Sequence, residues 1–486
     1  MRNTNINYKI PSYTNELAKL IKERALEGLT TEFIYLGPRD LGSLSTDDWV
    51  FVCNAIKDSK IVKTLYIEFM FRKEWCLILA NALKENHSIT ELALGSVKPN
   101  SCKYFAELLK VNSTIKILNF LDGSSIEDKG LSFISEVIEN DNWTLTSLIL
   151  AGNQIENEGC VRLSNALKKN TSITHLDLSY NMLEYDAWKS IGDMLKINST
   201  LRMLELLESG YKSEDGCVAL VEGLKKNSTL THLNILRNNF NRNSANSLID
   251  LINTNTSITT LGMGSDLFED LQISKNLQEA LISNTTIRRL NLSLCPIESN
   301  VICALSEVLK KNQTIIDLDL SHNSIQDFGL RKIIEGLYYN DTLTSINIKY
   351  NIISNHEPLI DLLQINSSLN KIEFSNTEID VRYSVDKVIE RHIKRNRRKQ
   401  HAQNLNIILA MWNISRRSES LDLFPPEIWS HVFNFVRVPG YETNHYGTIF
   451  DDLFLEHFRL QAANVPGSEI FQTVNTTIKI LTRRQN

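Results

Sequence analysis

Histidine and cysteine are the residues of this chain most able to bind metal or act as nucleophiles. Their spacing gives neither chemistry a site. The ten histidines are dispersed. His175, His232 and His322 have no Cys or His at the short spacing that closes a metal shell. The seven cysteines (53, 76, 102, 160, 217, 295 and 303) are scattered and form no Cys-x-x-Cys pair. They read as reduced thiols and not as a disulfide framework. Gly262-x-Gly264 lacks the third glycine of a dinucleotide loop. No Gly-x-x-x-x-Gly-Lys-Ser/Thr, His-Glu-x-x-His or Gly-x-Ser-x-Gly occurs. Asp451, Asp452, Glu456 and His457 are the groups an active site in residues 401–486 would use. The same four suit the solvated face of a helix. No catalytic residue, metal or cofactor is expected.

The spacing that stands out suits recognition instead. Tyr66, Phe69, His175, Asp177, Tyr180, Glu205, Glu208, His232, Arg237, Arg289, Asp317, Asp319, His322, Lys349, Tyr350 and Lys371 recur between regularly spaced leucines and isoleucines. Aromatic anchors mixed with charges of both signs suit a protein partner. A uniform Lys/Arg stripe for phosphates is missing, so no nucleic-acid partner is expected.

A repeat positions these residues. The phrase Asn-x-Ser/Thr-Ile/Leu puts Asn at 86, 112, 142, 170, 198, 227, 255, 284, 312, 340 and 366, with Asp58 in a weaker first copy. From 58 to 366 the mean interval is 28 residues. Each copy then reads as Ile173-x-x-Leu176-x-Leu178-x-x-Asn181 does, with Asn153, Asn238, Asn323 and Asn351 in the last place. Val97, Gly123, Ser209 and Asp266 fill that place elsewhere, so those turns should be less regular. The alternation predicts a short strand with one buried face. Gly159, Leu163 and Leu167 predict an amphipathic helix, since residues four apart share a face. The Asn-x-Ser/Thr phrases are also glycosylation sequons. Their fixed place between helix and strand favours a structural turn.

These residues resemble the leucine-rich repeat, and the helix-containing period of 28 is similar to the ribonuclease-inhibitor-like subclass. Cys295 even stands at the Asn place, after Ile287, Leu290 and Leu292. The resemblance implies an α/β solenoid, a horseshoe with parallel strands on the concave face and helices on the convex face. Partners would then bind the concave face. The expected division is an N-terminal helical cap at 1–30, about twelve repeats at 31–380, a basic capping helix region at 381–418 and a helical region at 419–486.

Residues 381–400 carry eight basic and two acidic side chains. Val381, Val385, Val388, Ile389 and Ile393 fall at helical spacing, which predicts a helix covering the last repeat. Further on, Phe424, Pro425, Glu427, Ile428, Val432 and Phe433 resemble the opening of an F-box. That resemblance implies contact with a Skp-type adaptor of a ubiquitin ligase. Phe424 stands where that family usually has Leu, and the stretch after Val436 departs from its pattern.

The chain has 486 residues with Lys+Arg 52 against Asp+Glu 57, a net charge of −5. This excludes a wholly basic nucleic-acid protein and a highly charged disordered chain. Residues 1–17 have no signal-peptide core and no apolar run approaches a membrane span, so a cytoplasmic, monomeric protein is expected. The repeat with its abundant Asn also resembles effectors that intracellular bacteria inject into the host-cell cytosol. Three readings follow: a scaffold gripping a protein on the concave face and recruiting ubiquitin machinery, an inhibitor acting by occlusion, or an enzyme with its site after residue 400.

Overall fold

The computed structural model describes residues 32–37, 44–68, 72–210, 215–238, 240–264, 270–294, 297, 299–374, 389 and 391–397. Phe69, Asp266, Cys295, the 1–30 region and all of the F-box-like stretch lie outside them.

Thirteen parallel strands form one sheet in chain order. They are β1 (Phe33–Leu36), β2 (Thr64–Ile67), β3 (Glu91–Leu94), β4 (Ile117–Phe120), β5 (Ser147–Ile149) and β6 (His175–Asp177). There follow β7 (Met203–Glu205), β8 (His232–Asn234), β9 (Thr260–Gly262), β10 (Arg289–Asn291), β11 (Asp317–Asp319), β12 (Ser345–Asn347) and β13 (Lys371–Glu373). Among the described residues one α-helix separates each pair. The first six are α1 (Thr46–Asp58), α2 (Lys73–Glu85), α3 (Cys102–Val111), α4 (Glu127–Asn140), α5 (Asn157–Leu167) and α6 (Tyr185–Leu195). The others are α7 (Gly216–Leu224), α8 (Arg242–Thr254), α9 (Leu271–Ser283), α10 (Ser299–Lys311), α11 (Asp327–Leu337) and α12 (Glu357–Ile365). This is the α/β solenoid of a leucine-rich-repeat horseshoe.

The core lies between sheet and helices. Leu148, Leu176, Leu204, Leu233, Leu261, Leu290 and Leu318 hold the middle of successive strands and are buried. The helices meet them with one stripe each, such as Leu163, Ala166 and Leu167 of α5. Close helix contact depends on glycine at one place. A Cβ on Gly223 of α7 would stand 2.1 Å from the carbonyl oxygen of Gly192 on α6.

Burying one face of a parallel sheet under helices leaves polar backbone groups at each turn, and every buried one needs a partner. The Asn residues supply them. Asn170 Oδ1 accepts the backbone N–H groups of Ser172 (3.0 Å) and Ile173 (2.9 Å), which closes the helix-to-strand turn. Its Nδ2 donates to the carbonyls of Ile138 (3.0 Å) and Asn142 (3.1 Å), one repeat earlier. Asn198, Asn227, Asn255, Asn312, Asn340 and Asn366 each donate to the carbonyl of the preceding Asn in the same way. These Asn side chains are buried and engaged, which explains the sequon-like phrase as a structural one.

A second ladder runs where strands end. Asn181 Nδ2 donates to Leu150 O (2.9 Å) in the previous repeat and to Leu178 O (2.9 Å) in its own. Its Oδ1 accepts from the N–H groups of Asn153 (3.1 Å) and Ile155 (3.0 Å). Irregularity appears at Gly123, with φ +83°. There Ser124, not Gly123, reaches back, its Oγ donating to Leu94 O at 3.1 Å. Consequently Asn153 Oδ1 is buried without a hydrogen-bond partner among the described residues. Ser209 substitutes differently, donating from Oγ to Leu206 O (2.8 Å).

The series continues past the last strand. Residues 391–397 are helical, and Ile389 and Ile393 belong to the core. Asn396 Nδ2 donates to Asn366 O (3.0 Å) and Leu369 O (2.7 Å), so it takes the next place in the first ladder.

Candidate functional site

Because side chains alternate along a strand, the residues flanking each central Leu face away from the core. The register stacks them in two columns. One runs Ser147, His175, Met203, His232, Thr260, Arg289, Asp317, Ser345 and Lys371. Its neighbour runs Ile149, Asp177, Glu205, Asn234, Gly262, Asn291, Asp319, Asn347 and Glu373. Adjacent members lie one strand spacing apart, about 4.8 Å.

A third column lies just beyond the strands. Gly152, Tyr180, Glu208, Arg237, Leu294, His322 and Tyr350 all have φ between +49° and +68°. This left-handed turn precedes the ladder residue in each of these seven units. Glycine occupies it freely, whereas other residues pay about 1 kcal/mol for it. Six of the seven nevertheless carry a side chain to the rim of the sheet.

The structure groups the expected contact residues into two blocks. In the central block, on β5–β8, Glu205 Oε1 pairs with His232 Nε2 at 2.8 Å, and Ser147 Oγ lies 3.3 Å from His175 Nδ1. Burial holds His175 below the ordinary imidazole range. Asp177 sits beside Glu205 across the register. Burial pushes the Asp177 carboxyl up to about 6, against the opposing effect of the Ser179 N–H that it accepts at 2.9 Å. On the rim, Arg237 Nη1 stands 3.0 Å from Glu208 Oε2, a charge contact without hydrogen-bond alignment.

The second block covers β11–β13. Asn347 Nδ2 donates to Asp319 Oδ2 (3.0 Å), while Lys349 and Lys371 each reach Glu373 at 2.7 Å. Lys349 and then Lys371 hold the Glu373 carboxyl below its ordinary range. His322 and Tyr350 stack, with ring centroids 4.2 Å apart. Between the blocks, Gly262 leaves the middle column without a side chain; a Cβ there would stand 2.6 Å from Asn234 Oδ1. Arg289 and Asp317 edge this gap. Tyr66 lies far from both blocks on β2, with its ring 5.3 Å from Tyr35. Tyr35 and Met203 belong to the same face and were not among the expected contacts; their place opposite the buried Leu of the strand is the signal that marks them.

Burial pushes the thiol of Cys76 up to about 11 and that of Cys160 to about 12, which suppresses the thiolate. Among the described residues no group of three or more His, Cys, Asp or Glu could hold a metal ion. Among the same residues no helix is long and apolar enough to cross a membrane.

A family model described as Leucine Rich repeat matches residues 141–164, 169–186, 283–300 and 311–333. The chain is similar to NACHT, LRR and PYD domains-containing protein 14 of Mus musculus, 29% identical over 247 residues, 48% of this chain and 24% of that protein. Protein 13 of the same description from Homo sapiens is 30% identical over 166 residues, 34% of this chain and 16% of that one. Protein 4E of Mus musculus is 26% identical over 169 residues, covering 35% and 17%. The chain thus spans between 16% and 24% of the length of these relatives, and the likeness lies in the repeats.

Proposed function

We propose that this chain is a non-enzymatic scaffold whose concave face and rim grip a protein partner through basic and aromatic side chains of that partner. The Asp177 carboxylate carries the reading. At the same column position Asn234, Asn291 and Asn347 accept the N–H two residues on, as Asp177 does. An amide would therefore serve the fold, so the charge is surplus to it. A charge retained beside Glu205 in a half-buried place suits recognition of a cation. Tyr180, His322 and Tyr350, displayed from left-handed turns, supply aromatic contact area.

The test compares captured proteins from the intact chain and from a Tyr180→Ser/Tyr350→Ser variant of equal thermal stability. A partner lost with the variant supports the concave reading. An unchanged set of partners overturns it.

A finer part of the proposal rests on sequence alone. Phe424 to Val436 would recruit a Skp-type adaptor while the repeats select the target, as a bacterial effector would do in a host cytosol. Deleting residues 421–436 should then abolish adaptor pull-down and leave the repeats folded. If pull-down persists, the F-box part is overturned; if the intact chain captures no adaptor, the repeats act by occlusion alone.

A further inference from the structure

The edge of the solenoid where helices end carries a second, separate signal. The residue just before each junction Asn is exposed. Val111, Ile197, Tyr339 and Ile365 occupy that place and are among the most exposed large apolar side chains described, Tyr339 at 71% and the other three at 63%. The helix dipole favours lysine at helix ends. It offers no reason for exposed tyrosine or isoleucine there.

Two of these residues stand in the repeats nearest the terminal helix. The first ladder joins Asn340, Asn366 and Asn396 in succession, through Asn366 Nδ2 to Asn340 O and Asn396 Nδ2 to Asn366 O, both 3.0 Å. Tyr339, Ile365 and Arg395 precede them and therefore lie side by side. Arg395 donates to Leu363 O and Gln364 O, which fixes the terminal helix on the end of α12. One place further back stand Tyr338 and Lys394.

Charge changes sign at this corner. Five residues before the junction Asn, earlier helices carry an acid, as at Glu307, Glu335 and Asp361. Glu307 neutralises Lys310 at 2.7 Å and Glu335 neutralises Lys332 at 2.8 Å. The terminal helix has Arg391 in that position instead. Arg391 and Lys394, three apart on one exposed face, have no carboxylate partner among the described residues. Lys311 adds a further cation, 4.0 Å from Glu307.

We propose that this corner, Tyr338, Tyr339 and Ile365 flanked by Lys311, Arg391 and Lys394, docks on the surface of an anionic lipid bilayer. Tyrosine rings and a branched aliphatic suit the boundary between headgroups and acyl chains, and the cations suit the anionic headgroups. A second copy of the chain fits worse, because two-fold pairing would set these cations against themselves. Three apolar side chains also fall well short of the area a stable protein interface needs. A nucleic-acid backbone would use the cations and leave Ile365 without a role.

Sedimentation of the full chain with phosphatidylcholine vesicles, with and without phosphatidylserine, tests this. Binding is expected only with phosphatidylserine. It should weaken about fivefold for each cation removed, as in Arg391→Gln or Lys394→Gln, and should weaken as salt rises. Tyr339→Ser/Ile365→Ser should weaken binding severalfold at unchanged charge. Circular dichroism establishes that the variants fold, and Arg395 is left intact because it caps α12. Equal binding to both vesicles overturns the proposal, as does failure to bind either. Insensitivity to Tyr339→Ser/Ile365→Ser, with tight binding to duplex DNA, overturns it in favour of a nucleic-acid ligand. None of these outcomes depends on the concave face.

Discussion

Replacing Asp177 with Asn separates what the concave face needs for folding from what it holds for binding. The substitution keeps the shape and the acceptor for the Ser179 N–H, as the equivalent Asn234, Asn291 and Asn347 do. It removes only the charge. In the unfolded chain this carboxyl ionises near its ordinary value of 3.8, whereas in the fold it is pushed up to about 6. Between those values the folded chain binds more proton than the unfolded one, so stability falls as pH rises through the window. Two pH units correspond to about 3 kcal/mol. Asp177 keeps some contact with solvent, which reduces the expected effect to about 1–2 kcal/mol. Asp177→Asn should thus exceed the parent in stability by that amount at about pH 7 and match it at about pH 4. Urea unfolding followed by circular dichroism at the two pH values measures the difference, with equal slopes as the check on a shared denatured state. A gain of equal size at both pH values, or a loss at neutral pH, would refute the argument that the charge is held against its own ionisation. If the charge serves recognition, the more stable variant is also the weaker binder.

Two further substitutions test the packing logic. Asn181→Ala strips partners from Leu150 O and from the N–H groups of Asn153 and Ile155, at about 1–3 kcal/mol for each group left unsatisfied. Asn153→Ala should cost less, since its Oδ1 has no partner and only its donations to Phe120 O and Ala151 O are lost; equal costs in urea unfolding would contradict the ladder. Gly223→Val should destabilise the α6–α7 contact by several kcal/mol, because its side chain would meet the Gly192 carbonyl; a thermal melt matching the parent would show that the helices can part without cost.

The fold was legible because its rules are periodic. Leu176 and Leu178 announce a strand by alternation, and Gly159, Leu163 and Leu167 announce a helix by spacing, so strand order and the facing columns follow. The ladder was only half legible. The fixed place of Asn181 at the end of each repeat phrase marks one ladder, but Asn170 also bonds across repeats, and nothing in Asn-x-Ser/Thr alone says that its Nδ2 reaches Asn142 O. Asn396 lies 30 residues after Asn366 and lacks the Ser/Thr-Ile/Leu that follows the others, which hid it. The site was less legible still. That His175 and Asp177 titrate abnormally depends on how deeply neighbouring strands enclose them, and the left-handed turns at Tyr180, His322 and Tyr350 are set by the ladder residue that follows each, not by their own residue type.

Both ladders bind a repeat only to its neighbour. Their cross-repeat bonds span 26 to 33 residues, whether from Asn366 to Asn340 O or from Asn142 to Leu109 O. Such separations are short against a chain of 486 residues. Loop closure between neighbours is therefore cheap, and folding should be fast for so large a sheet. Each unit can close on the one before as it leaves the ribosome, with no need to await the C-terminus. Opening should likewise begin locally, and among the described residues the turn at Gly123 and Ser124, where Asn153 Oδ1 goes unused, is one place where the ladder is incomplete. Amide exchange should there divide the solenoid into two cooperative blocks, with the whole charged face of β6–β13 on one side of the boundary.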